Sequence, residues 1–156
     1  MKTTDRIKYI KNWIIDYCKN MPNEADTLVV GVSGGIDSSV TSTLCALTEK
    51  KIIALSMPIN QIKEQYDLSL KHQDWLKRKF KNVDCNLISL DNAFKTFKDS
   101  LNGFNNEHGL ANSRARLRMA TLYQVAASNN GIVVGTGNKV EDFGVGFYTK
   151  YGDGGV

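Results

Sequence analysis

The sequence feature that most constrains the fold is the stretch at residues 28–40, which has the sequence LVVGVSGGIDSSV. It opens with an apolar run, as a buried strand does, and continues through a Gly/Ser turn into an apolar-periodic segment typical of a helix. In a strand, turn and helix of this kind, glycines let the backbone approach an anion closely. The helix N-terminus adds N–H groups and the positive end of its dipole. The stretch therefore predicts a phosphate-binding loop.

Asp37 lies inside this loop, where a bare carboxylate would repel phosphates. A Mg²⁺ ion between them removes the repulsion, because Mg²⁺ sites commonly join one or two carboxylates to substrate phosphates. The alternative is an ordinary tight turn with a Ser or Asp N-cap. The loop differs from the GxxxxGK[ST] motif, which has a Lys after its glycines, and from GxGxxG. It resembles the SGGxDS loop of the ATP pyrophosphatases, which cleave ATP between the α and β phosphates and hold the departing pyrophosphate there.

Length and composition fit one soluble domain, residues 1–156, because 42% hydrophobic and 23% charged residues are ordinary for a globular chain. The net charge is +4, and the lysines are spread along the chain. This pattern favours a solvated surface over a nucleic-acid patch. The sequence has no apolar run of membrane length and no signal peptide. We therefore expect a cytoplasmic protein with neither a nucleic-acid nor a membrane partner.

Cys18, Cys45 and Cys85 are odd in number, far apart and outside any CxxC pair. This pattern favours free thiols in a reducing compartment. The missing CxxC also argues against the sulfur-inserting members of the ATP pyrophosphatases.

Helical and strand patterns alternate along the chain, which predicts the α/β class with right-handed parallel βαβ units. The predicted helices are residues 4–20, 38–48, 66–80, a helix from residue 91 and 112–128, and the predicted strands are 28–32, 51–57, 86–90 and 131–135.

Capping and burial patterns refine these helices. Thr3 or Thr4 is expected to cap the first helix and Asp91 the fourth. Val40 is expected to face the core of the helix after the loop, together with Leu44 and Leu47.

Ligands of open α/β sheets bind beyond the carboxyl ends of the strands. This places Met57 beside the phosphate loop, where it lines either an adenine pocket or the core. The fourth strand ends at Thr136 on the same edge, and Glu141 follows shortly after. Residues 143–156 are rich in Gly and aromatic residues. They are predicted to be irregular and to form a substrate loop.

Other polar residues allow more than one interpretation. His72 lies in a Lys-rich helix and is interpreted as a surface or packing residue rather than a catalytic one. Arg114 and Arg118 share a helix face because they are four residues apart, whereas Arg116 points nearly the opposite way. A surface trio remains the alternative for these arginines.

Four motifs in this order, GVSGGIDSS, NSRARLRM, GTGNKVED and FYTKYGDGGV, resemble the NAD synthetase family. The resemblance implies an adenine nucleotide alpha hydrolase-like, Rossmann-like fold, which is a three-layer parallel sheet with helices on both faces. It also implies a carbon–nitrogen ligase that uses ATP and ammonia to amidate deamido-NAD to NAD, releasing AMP and pyrophosphate. A homodimer with substrate sites at its interface is implied as well. Free ammonia or a separate donor would supply the nitrogen.

The resemblance also implies site residues. ATP is expected to contact Gly31, Val32, Ser33, Gly34, Gly35, Ile36, Asp37, Ser38, Met57 and Thr136. Asp37 and Glu141 are expected to bind Mg²⁺, and Arg116, Lys150 and Asp153 to contact deamido-NAD. The spacing between Glu141 and Lys150 is one residue longer than in many members of the family. No catalytic side chain is assigned, because no Ser/His/Asp or Cys/His set is evident.

The sequence stops at Val156, where the family continues with further binding residues. We therefore expect a domain without the family's C-terminal part, which binds ATP weakly and catalyses poorly on its own. Two alternatives stay open. One is a truncated, non-catalytic ATP-binding module, and the other is a different amidating or thiolating ATP pyrophosphatase.

Overall fold

The structure is a computed structural model that describes residues 2–146 and 148–153. Its helices are α1 (Thr3–Lys19), α2 (Ile36–Ala46), α3 (Lys63–Lys79), α4 (Asp91–Asp99) and α5 (Glu107–Ala127), and a π-helical segment spans Val140–Val145. Its strands are β1 (Thr27–Gly31), β2 (Lys51–Ser56), β3 (Val83–Leu87) and β4 (Gly131–Val133). Within these ranges, no helix is long and apolar enough to cross a membrane.

The strands form one parallel sheet in the order β3-β2-β1-β4. Leu28 of β1 lies opposite Ile52 of β2 on one side and opposite Ile132 of β4 on the other. The two central strands, β1 and β2, are almost fully buried, as expected of a parallel sheet covered on both faces. The predicted parallel α/β sheet is confirmed.

Helices cover both faces of this sheet. Because side chains alternate along a strand, Leu28 and Val30 pack on the face covered by α1, α2 and α3. Val29 points to the other face, where Phe94 of α4 and Leu122 of α5 complete a second core. The three-layer architecture expected from the sequence is therefore present.

Two predicted helix caps are wrong. The N-cap of α1 is Lys2, without a side-chain hydrogen bond, so neither Thr3 nor Thr4 caps this helix. The N-cap of α4 is Leu90, and Asp91 is its first helical residue. The carboxylate of Asp91 accepts hydrogen bonds from Asn60 N (2.6 Å) and Ser89 Oγ (2.8 Å), so it holds a neighbouring loop instead of capping.

Several predicted boundaries are also wrong, including the start of α3, the start of α5 and both ends of β3. Helix α5 begins at Glu107 rather than residue 112, because Asn106 Oδ1 accepts from Gly109 N at 3.0 Å and caps it. Strand β3 ends at Leu87 rather than residue 90, with its register set by pairing to β2.

Val40 was expected inward but is 49% exposed. Helix α2 buries Ser38, Ser42 and Cys45 instead, and Val40 is two residues from both serines, on the opposite side of the helix. The predicted substrate loop, residues 143–156, is called the tail below. It also differs from the prediction, since residues 143–145 belong to the π-helical segment. Residues 147 and 154–156 of the predicted substrate loop lie outside the described part of the chain.

Candidate functional site

A cavity of about 750 Å³ lies at the carboxyl ends of β1, β2 and β4. Its size falls within the usual range for small-molecule pockets. The predicted site residues that line it are Gly31, Val32, Ser33, Gly34, Gly35, Asp37, Ser38, Met57, Thr136, Glu141 and Asp153. The structure thus brings most of the predicted residues together, and their binding roles stay predictions.

The phosphate-binding loop between β1 and α2 is closed by its own serines. Ser33 N donates to Ser38 Oγ at 3.2 Å, and Ser38 Oγ donates to Gly35 O at 3.0 Å. Gly35 N donates in turn to Ser33 Oγ at 3.2 Å. Gly35 is the N-cap of α2 and has no side chain to accept from the first amides of the helix. Those amides are therefore available to an anion.

Gly34 holds this loop against α3. Its φ of +92° suits glycine, and a Cβ there would lie 2.7 Å from Gln65 O and 3.0 Å from Ser69 N. Gln61 Nε2 adds a hydrogen bond to Ser33 O at 3.2 Å. The loop conformation therefore depends on α3 and on the segment just before it.

The cavity lining is acidic. Four carboxylates line it, those of Asp37, Glu141, Asp142 and Asp153, against the single guanidinium of Arg118 among the described lining residues. A triphosphate would be repelled by this charge unless a cation accompanied it.

Asn138 connects the Asp37 carboxylate to the backbone of Glu141, the other residue predicted to bind Mg²⁺. Its Nδ2 donates to Asp37 Oδ2 at 3.2 Å, and its Oδ1 accepts from the backbone amides of Val140 and Glu141, both at 3.0 Å. One amide side chain thus fixes the start of α2 relative to the π-helical segment.

The donor set fits Mg²⁺, which prefers oxygen ligands and takes one or two carboxylates together with substrate phosphates. Asp37 and Glu141 supply such oxygens to one cavity. In the described ranges, no group of three or more His, Cys, Asp or Glu residues is placed to hold a metal alone. The phosphates of the nucleotide would therefore supply part of the coordination of a cation at this site.

Arg118 is a cavity residue that the sequence reasoning did not assign. Its Nε donates to Met57 O at 2.9 Å, which fixes the carboxyl end of β2. Burial lowers the pKa of its guanidinium, and Arg114 lowers it further. The sequence places Arg118 on one helix face with Arg114, but it does not show that Arg118 reaches the end of β2.

Three predicted residues, Ile36, Arg116 and Lys150, do not line the cavity. Ile36 is 74% exposed at the start of α2. Arg116 and Lys150 lie together, because Arg116 Nε donates to Lys150 O at 3.1 Å. The Lys150 ammonium lies 5.1 Å from the centre of the Tyr151 ring.

The tail is fixed to α5 at a second point. Thr149 Oγ1 donates to Asn112 Oδ1 at 2.7 Å, and Thr149 N donates to Asp153 Oδ2 at 2.6 Å. The tail therefore carries Asp153 to the cavity while Lys150 stays outside it.

The family model described as NAD synthase matches residues 6–156. The chain belongs to the NAD synthase family. The NH3-dependent NAD+ synthetase of Methanosarcina acetivorans is 38% identical over 154 residues, covering 94% of this chain and 58% of that protein. The corresponding synthetase of Mesoplasma florum is 35% identical over 156 residues, covering 96% and 62%.

Solved structures of two bacterial proteins share the fold. The NMN synthetase from Francisella tularensis superposes with a TM-score of 0.90 at 32% identity, covering 100% of this chain and 63% of that one. The NH3-dependent NAD synthetase from Campylobacter jejuni gives 0.85 at 31% identity, covering 98% and 64%. This member of the NAD synthase family thus spans about three-fifths of the length of these relatives.

Proposed function

We propose that the chain catalyses the NH3-dependent amidation of deamido-NAD to NAD, with ATP as co-substrate and with AMP and pyrophosphate as products. The observation that carries the proposal is one cavity in a NAD synthase family member. This cavity is lined both by the SGGIDS loop, which includes the carboxylate of Asp37, and by the carboxylate of Glu141. The relatives named above as NH3-dependent NAD synthetases support the same reaction.

The proposed reaction has two steps. A carboxylate is a poor electrophile for ammonia, so the nicotinate carboxylate of deamido-NAD first attacks the α-phosphorus of ATP, and pyrophosphate leaves. The resulting acyl adenylate has a good leaving group. Ammonia then adds to its acyl carbon, loses a proton, and displaces AMP to leave the amide.

The phosphate-binding loop would stabilise the departing pyrophosphate through the amides at the start of α2. Asp37 and Glu141 would hold Mg²⁺. This ion would neutralise phosphate charge when bound. Thr136 and Met57 would contact ATP from the ends of β4 and β2.

Deamido-NAD would be bound by Arg116, Lys150 and Asp153. Arg116 of α5 donates to the backbone oxygen of Lys150 outside the cavity, and Asp153 lies in the cavity itself. Cationic side chains outside the acidic cavity suit the anionic phosphates of this substrate.

The cysteines argue against a thiolating ATP pyrophosphatase. All three are buried, and burial raises the pKa of Cys45 to about 12 and that of Cys85 to about 11. Burial raises the pKa of Cys18 as well. A thiol that carries sulfur or attacks a substrate reacts as an accessible thiolate, which these positions disfavour.

We also propose a homodimer in the cytoplasm as the setting of this reaction. The homodimer is what the resemblance to the family implies. The three free cysteines fit a reducing compartment.

A second candidate substrate is nicotinate mononucleotide. The observation in its favour is the TM-score of 0.90 with a protein named as an NMN synthetase. The amidation chemistry would be the same, since both substrates carry the nicotinate carboxylate. The ratio of kcat/KM for deamido-NAD and for nicotinate mononucleotide, measured under identical conditions, separates the two substrates.

Asp37→Asn tests the assignment of the site. This change keeps the size of the side chain and removes the charge proposed to hold Mg²⁺. We expect release of AMP to fall by roughly 100-fold or more, the cost of removing a group that stabilises transition-state charge. Asp99→Asn is the matched control, because Asp99 is exposed on α4 and pairs with Lys95 at 2.6 Å.

An Asp37→Asn variant with unchanged AMP release would contradict this site. Binding of ATP by the wild-type chain without any AMP release would favour the non-catalytic module.

A further inference from the structure

His72 is a half-buried imidazole in α3 that the proposed reaction does not use. Its Nε2 lies 2.9 Å from Ser42 Oγ, and its ring stacks on Trp75 with centres 5.6 Å apart. Ser42 is fully buried in α2, one turn after Ser38 of the phosphate-binding loop. The imidazole therefore joins α3 to the helix that begins at the loop.

The hydrogen-bond distances favour one direction for this connection. Ser42 Oγ lies 2.7 Å from Ser38 O and 3.2 Å from Ser39 O. We assign the single proton of the Ser42 hydroxyl to Ser38 O, its nearest acceptor, and His72 Nε2 then donates to Ser42 Oγ. Burial lowers the pKa of His72, which favours a neutral ring, and in this assignment the tautomer carries its proton on Nε2.

The connection ends at the loop itself. His72 donates to Ser42, Ser42 donates to Ser38 O, and Ser38 Oγ closes the loop by donating to Gly35 O at 3.0 Å. Helix α3 contacts the loop at a second point, through the close approach of Gly34 to Gln65 O. One helix outside the SGGIDS motif therefore fixes both the loop and the first turn after it.

We propose that His72 is a positioning residue for ATP, which acts through Ser42 to hold Ser38 and the start of α2 in the geometry that binds the phosphates. The proposal rests on the proposed function, because it takes the loop to be the ATP site. It goes further by assigning a role to a side chain that does not line the cavity. His72 contacts neither the nucleotide nor the reacting atoms in this role.

Two variants remove the hydrogen bond while changing little else. His72→Phe keeps an aromatic ring to stack on Trp75, and Ser42→Ala keeps a small side chain in the buried position. Titration calorimetry with MgATP on the full chain measures the dissociation constant. We expect each variant to raise it by about fivefold to tenfold, as for the loss of one hydrogen bond. The double variant should bind no worse than either single one, because both remove the same connection.

Two further variants separate positioning from general stability. His72→Gln retains a side-chain N–H donor and should recover part of the lost affinity. His108→Phe is the matched control, because His108 is exposed in the first turn of α5 and should leave the dissociation constant unchanged.

Wild-type affinity for MgATP in both His72→Phe and Ser42→Ala would overturn the role of His72. A lower melting temperature with unchanged affinity would also overturn it, since it would reduce His72 to a structural residue. If the wild-type chain itself bound no MgATP, the ATP site would be wrong, and with it the proposed function. Calorimetry on the wild-type chain distinguishes that failure from the others.

Discussion

At the scale of single residues, Gly34 of the phosphate-binding loop meets two geometric demands at once. It combines a φ of +92° with a place where a Cβ would lie 2.7 Å from a backbone oxygen of α3. Gly103 has nearly the same φ, +94°, but a Cβ there would meet nothing within 4 Å. The chain therefore contains its own control for separating backbone strain from steric conflict.

Gly34→Ala should destabilise the chain more than Gly103→Ala. Both changes force a non-glycine residue into a positive φ, which costs about 1–3 kcal/mol, but only the first meets another backbone. Thermal unfolding should show the difference, at about 2–4 °C for each kcal/mol in a chain of this size. Calorimetry should show weaker MgATP binding for Gly34→Ala alone. Equal losses of stability and equal affinities in the two variants would contradict this role of Gly34.

Residues of the loop could be predicted because the SGGIDSS sequence is specific for its shape. Arg118 and Asn138 could not be assigned in the same way. Each owes its position to a distant partner, Arg118 to Met57 O and Asn138 to the Asp37 carboxylate. A single sequence carries no record of such pairings.

At the scale of elements, the start of α5 determines where the arginine-containing helix lies. Asn106 caps the helix by accepting from Gly109 N at 3.0 Å, so the helix begins at Glu107, five residues before the predicted start. This cap is hard to recognise in the sequence. Residues 102–106, NGFNN, have the composition of a loop, and Gly109 is a poor helix former. The helix forms there because it packs Leu110, at the end of its first turn, and Leu122 into the core.

Asn106→Ala should lower the free energy of unfolding by about 1 kcal/mol, the usual value of an N-cap side chain. Asn105→Ala, which changes the exposed neighbour, should have little effect. Chemical denaturation of both variants compares the two losses directly. Equal losses would contradict the assignment of Asn106 as the cap.

Strand β3 shows why element boundaries were harder to predict than element order. Apolar residues recur throughout residues 83–90, so the pattern fits a strand at residues 83–87 as well as one at residues 86–90. The structure fixes the register by pairing Ile52 with Val83. Backbone hydrogen bonds to β2 continue past the strand, from Ile88 N to Ser56 O at 2.9 Å. Tertiary pairing therefore decided a boundary that local pattern left open.

At the scale of the whole molecule, the parallel sheet places the candidate site. Parallel strands bring their carboxyl ends to one edge, and the loops after β1, β2 and β4 meet there around one cavity. This much followed from the order of strands and helices in the sequence. The contacts of the tail with α5 did not, because they join residues far apart in the chain, such as Arg116 and Lys150.

The charge of the cavity carries the central claim. An acidic lining around a phosphate-binding loop suits a nucleotide that arrives with a cation, and an amidation driven by ATP uses both. The most direct test mixes the chain with MgATP, ammonium and deamido-NAD and measures NAD and AMP in the same samples. The account predicts that both form in equal amounts and that neither forms without Mg²⁺. AMP without NAD, or ATP binding with neither product, would contradict it.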